Sequence, residues 1–152
     1  MKTFFNNCVT LAAGFAFITI CGQAFAESKP DSNEALTLQI IMQDLGKEMQ
    51  IVTDGISRED WEQVEKAASR IANHPQPALT ERTKIMDFVG TDASKFKAND
   101  KKTHEAARAL AEAAAQKNGQ TVISAFATLQ DTCLTCHNDF RKPIQDHFYN
   151  QR

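Results

Sequence analysis

QTVISAFATLQDTCLTCHNDFRK, residues 120–142, joins a helical period to the one stretch of this chain that spells out chemistry. Val122, Phe126, Leu129, Cys133, Cys136, His137 and Phe140 share one apolar stripe when the segment is wound as an α-helix, and Pro143 is expected to close it. The two cysteines and the histidine stand at i, i+3 and i+4, so all three leave the helix on the same side within about one turn. Whatever the cysteines hold is therefore presented to a bundle core.

Working outward, the rest of the chain reads as more helix. Asp31-x-x-Glu34 has the form of a capping box, and Leu38, Ile41, Met42, Leu45, Met49 and Val52 follow on one face as far as Asp54-Gly55. Ser57 with Asp60 starts a second helix carrying Trp61, Val64, Ala68 and Ile71, which His74-Pro75-Gln76-Pro77 ends. Leu79 to Val89 reads as a short helix closed by Gly90, and Thr91 to Asp100 as a polar crossover. Lys101 to Lys117 is rich in Ala, Glu, Lys and Leu and forms a third long helix, with Asn118-Gly119 as its C-terminal cap. No segment alternates like a strand. The expected fold is all-α, a four-helix bundle with one longer crossover.

Residues 1–26 stand apart. Lys2 followed by the uncharged apolar run Cys8 to Cys21 and by Ala24-Phe25-Ala26 reads as a cleaved secretory signal, too short for a membrane span. Residues 27–152 are then a single exported domain, which places the protein in the periplasm. The chain carries a net charge of −2, and loss of Lys2 makes it one unit more negative, a balance that points to neither nucleic acid nor a membrane surface. Of the four cysteines only Cys133 and Cys136 remain after cleavage.

C-x-x-C-H is the attachment signature of c-type haem: two thioether bonds from the cysteines and an axial iron ligand from the histidine. Three alternatives compete with it. A thioredoxin-like dithiol belongs at the start of a helix after a strand, whereas this pair sits in mid-helix. Structural zinc needs further ligands, and His74, His104 and His147 show no paired spacing. A disulfide here would close a loop too small to stabilise much. Covalent haem, one per chain, is the favoured reading.

The segment Cys133-Leu134-Thr135-Cys136-His137-Asn138-Asp139-Phe140-Arg141 resembles the C-x-x-C-H-x-x-F-R region of cytochrome c′ and its low-spin relatives, and the helix order and Ala-rich third helix are similar as well. The resemblance implies an antiparallel bundle with covalently attached haem, Cys133 and Cys136 as anchors and His137 as the proximal iron ligand. It places Met42 at the distal position, where a methionine marks the low-spin members; the competing reading is a core methionine that fills space. Arg141 resembles the basic residue flanking the proximal pocket, against a plain solvated residue near a helix end. Gln39 departs from the family, which often carries an arginine there, so neutralisation of the haem propionates must come from elsewhere, with Arg141, Lys95 and Lys97 as candidates. Gly46 either makes room for the porphyrin edge or is a tolerated cost to the helix.

From these residues the expected function is one-electron transfer by a His137/Met42-ligated haem serving periplasmic redox partner proteins, with Lys95, Lys97, Lys101 and Lys102 as a basic cluster for an acidic partner. The alternative is a five-coordinate haem that binds nitric oxide or carbon monoxide. Nothing points to substrate turnover. Leu36, Ile40 and Ile51 form a second apolar stripe on the first helix, a possible homodimer seam in a family whose members pair through their first two helices.

Overall fold

The computed structural model describes residues 36–150, and the signal segment, its cleavage site and the Asp31 capping box lie outside them. Six α-helices follow one another: α1 (Leu38–Ser57), α2 (Trp61–Ala72), α3 (Leu79–Val89), α4 (Ala93–Ala115), α5 (Gly119–Cys136) and α6 (Lys142–Phe148). A 3₁₀ turn, Gly90–Asp92, joins α3 to α4, and a π turn, His137–Arg141, joins α5 to α6. There is no strand among the described residues. As expected, the architecture is an all-α four-helix bundle, built from α1, α2, α4 and α5, with α3 as the crossover.

Local chemistry sets the helix ends. The Thr37 hydroxyl accepts from Ile40 N–H at 3.2 Å and starts α1. Asp60 itself, rather than Ser57, caps α2 by accepting from Gln63 N–H. Asn118 was expected to end α4. It instead starts α5, its side chain accepting from Thr121 N–H. Lys117 takes the left-handed position (φ 55) that closes α4, so the following glycine is free to begin the next helix. Gly119 is suited to that place because a Cβ there would lie 3.1 Å from the Trp61 indole.

Two further expectations are corrected. The polar stretch from Ala93 to Asp100 is helical, so α4 starts well before Lys101; its apolar residues are few, but Phe96, Asn99 and Thr103 face inward and carry the helix across the crossover. Pro143 does not end the chain's last helix. The π turn ahead of it widens the backbone where the proline ring would collide with the carbonyl of Asp139, and Pro143 then sits in the first turn of α6.

Three seams of the bundle are closed. α1 packs along α2, α2 along α4 and α4 along α5, whereas α1 and α5 meet only sparsely. The closed seams are filled by Val52, Val64, Ile71, Leu110, Val122 and Leu129 with alanines of α2 and α4 between them. Neighbours run antiparallel: Trp61 at the start of α2 lies by Gly119, past the end of α4, and the last carbonyl of α2, Ala72, meets His104 in the first half of α4. A second, smaller cluster of Ile85, Phe140 and Ile144 fills the other end, with Phe96 set edge-on to Phe140 at 5.2 Å. There Glu81 of α3 accepts from Leu38 N–H at 2.7 Å and also from the Tyr149 hydroxyl, tying α1, the crossover and the C-terminal turn together.

Leu36, Ile40 and Ile51 are half-buried, and Ile51 packs on the main core. They form no exposed stripe.

Candidate haem site

Where α1 and α5 part, the bundle opens into a cavity of about 910 Å³. This lies in the upper part of the range for small-molecule and cofactor sites, about 300–1,000 Å³. Its walls come from every helix except α2: Ile41, Met42 and Leu45 on one side, Cys133, Cys136 and His137 opposite, Ile85 and Met86 from the crossover, Phe96 from α4 and Ile144 from α6. The expected site residues Cys133, Cys136, His137, Met42 and Arg141 all line this one cavity.

Both cysteines are free thiols, half-buried on the stripe of α5. Burial pushes the Cys133 thiol above its ordinary value. Cys136 is pushed up to about 11, first by burial and then by the charges of Asp100, Cys133 and Asp139. Raised thiols remain protonated at neutral pH, the reverse of what a catalytic dithiol needs. Nor does a further His, Cys, Asp or Glu converge on the two sulfurs among the described residues, as a zinc centre would require.

His137 is exposed and opens the π turn, where its N–H donates to the carbonyls of Cys133 and Leu134. Its imidazole is held below the ordinary histidine range, first by desolvation against the cavity wall and then by the positive charge of Arg141. A neutral ring with an available lone pair is the form that binds iron. Two half-buried thiols, a neutral imidazole and an apolar chamber on one face together fit a c-type haem.

Met42 departs from the buried-methionine reading. It is 39% exposed, while its neighbour Ile41, at 2%, takes the core position. Gly46 has open space around it and does not line the cavity, which favours the tolerated-cost reading over room for a porphyrin edge. The positive charges at the cavity are Lys97, Arg141 and Arg82. Lys95 turns away to pair with Asp139 at 2.9 Å, and Lys101 pairs with Glu105. Arg82, whose guanidinium bonds Gln76, was not singled out from the sequence. Its spacing to Ile85 and Met86, three and four residues, is the signal that places it on the same face of α3. His74 and His104, which show no paired spacing in the sequence, stack on each other beside the cavity.

No helix among the described residues is long and apolar enough to cross a membrane. No curated protein and no solved structure matches the chain. Residues 37–141 match the family model described as Cytochrome C′. That match runs from the cap of α1 to the end of the π turn and so takes in the four bundle helices, both cavity cysteines and His137: the chain belongs to the cytochrome c′ family of haem-binding proteins.

Proposed function

We propose that the protein is an exported monohaem cytochrome of the c′ type, whose haem is fixed covalently by Cys133 and Cys136, ligated by His137, and left open on its distal side to bind nitric oxide or carbon monoxide. Haem iron with a single protein ligand supplies a vacant coordination position for such a diatomic molecule. The chain's own residues set the conditions. The thiols anchor the group on α5, the low-pKa imidazole of His137 offers its lone pair, and Ile41, Met42 and Leu45 wall the distal side with apolar surface that excludes larger polar ligands.

The observation that carries an open distal side is the match of residues 37–141 to the Cytochrome C′ family model. This reverses the preference drawn from the sequence for a six-coordinate electron carrier. That second reading keeps one support, since Met42 does line the same cavity as His137 from the opposite wall.

Absorption spectra of the reduced, haem-loaded protein, taken with and without carbon monoxide, decide between them. Broad merged visible bands that shift with the gas are expected. Sharp resolved bands unmoved by carbon monoxide, and converted to the broad type by Met42→Leu, would overturn the open-site reading in favour of electron transfer to periplasmic redox partners.

A further inference from the structure

One cluster of ligating side chains plays no part in the haem reading. His74, in the connection after α2, and Asp100 and His104, one turn apart on α4, each bring a ligand atom within 4.8 Å of the others. His74 Nε2 lies 3.8 Å from Asp100 Oδ1, and His104 Nε2 lies 3.6 Å from Asp100 Oδ2. The imidazoles stack with centroids 4.4 Å apart and planes 13° from parallel.

What distinguishes this group from a chance meeting of polar residues is the far side of each ring. His104 Nδ1 is 2.6 Å from the carbonyl of Ala72, and His74 Nδ1 is 2.9 Å from the carbonyl of Pro75. A carbonyl only accepts, so each Nδ1 carries a proton and each Nε2 is the nitrogen turned toward the shared carboxylate. Backbone carbonyls that fix the tautomer and aim Nε2 are the usual support of metal-ligating histidines. The separations of 3.6 and 3.8 Å are too long for good hydrogen bonds. Ligands about 2.0–2.1 Å from a tetrahedral zinc stand about 3.3–3.4 Å apart, so the two histidine–aspartate separations need only a small contraction, while the nearly parallel rings must turn toward each other to converge on one ion. Both rings are well shielded, with side-chain exposures of 10% for His74 and 22% for His104, while Asp100 at 45% leaves an entry path.

We propose that His74, Asp100 and His104 bind one divalent cation of the zinc type, with two nitrogens and one carboxylate oxygen from the chain and a water in the fourth position. His74 and Asp100 also line the large cavity, so the cation sits at its rim and pins the crossover to α4. The site stands independently of how the haem iron is ligated.

The test is equilibrium dialysis of the untagged, haem-loaded protein against zinc chloride after treatment with a chelator, with zinc and haem iron counted separately. One zinc per chain is expected, together with a rise in melting temperature on adding zinc. Asp100→Asn and His104→Gln should each weaken zinc binding at least tenfold, and His147→Gln should leave it unchanged. If His104→Gln fails to fold, the isosteric Asp100→Asn decides alone. No zinc uptake by the unaltered protein, or uptake that survives Asp100→Asn, would overturn the proposal.

Discussion

The two ends of the bundle are built on different rules. Around Val64, Leu110 and Leu129 the helices close on one another through alanines and compact aliphatic side chains. At the other end, around Ile85, Phe140 and Ile144, larger side chains pack beside the cavity, and Glu81 ties the crossover to α1 and to the C-terminal turn. The small residues of α2 and α4 let backbones approach, whereas the open end is packed by aromatic rings such as Phe96 and Phe140. One chain thus keeps a void large enough for a cofactor without giving up a dry core, because stability and binding are assigned to opposite ends.

The sharpest way to break this comparison is to remove the cofactor's anchors. Cys133→Ser together with Cys136→Ser should abolish covalent haem, so that the protein's mass falls to that of the bare chain, while the closed end still gives a helical circular-dichroism spectrum. Loss of that helical signal would show that the two ends are not separable.

Next in size, Leu110→Ala should cost about 2–5 kcal/mol in urea unfolding, since the side chain is fully enclosed and leaves a cavity. The haem absorption spectrum should stay as it was. Phe140→Ala, at the cavity, should change that spectrum.

Gly55 and Gly46, both on α1, sharpen the contrast. A Cβ at Gly55 would meet Val64 Cγ2 at 2.8 Å, so Gly55→Ala should destabilise by about 1–3 kcal/mol. Nothing lies within 4 Å of a Cβ at Gly46, and Gly46→Ala should stabilise by about 0.5–1 kcal/mol through helix propensity.

An effect of similar size concerns Tyr149. Burial, and then the hydrogen bond and charge of Glu81, raise its hydroxyl above the ordinary 10.0. Above about pH 10 the unfolded chain therefore gives up this proton before the folded one does, and stability falls as pH rises. In the haem-loaded protein Tyr149→Phe should cost about 1 kcal/mol at neutral pH and flatten the alkaline limb of the stability profile.

The sequence was most informative where one residue type decides one geometry. The cysteine and histidine spacing and the apolar stripe of α5 are of this kind, and both bring their residues to one cavity wall as the pattern predicts. What it concealed depends on partners distant in the chain. α4 begins at Ala93 despite a polar composition because α3 and the π turn offer its inward residues a surface. Pro143 continues a helix because the backbone widens before it. His74 and His104 meet only because the α2–α3 connection folds back onto α4, and no spacing in the sequence records that.

The open seam also sets an order of events. Opening of α1 from α5 exposes few packed contacts, so amide protons of α1 near Met42 should exchange with solvent through small, frequent openings. Those near Leu110 and Val64 exchange only when the whole bundle unfolds. The chain can thus admit a planar group between α1 and α5 in a fluctuation that leaves three of its four seams intact.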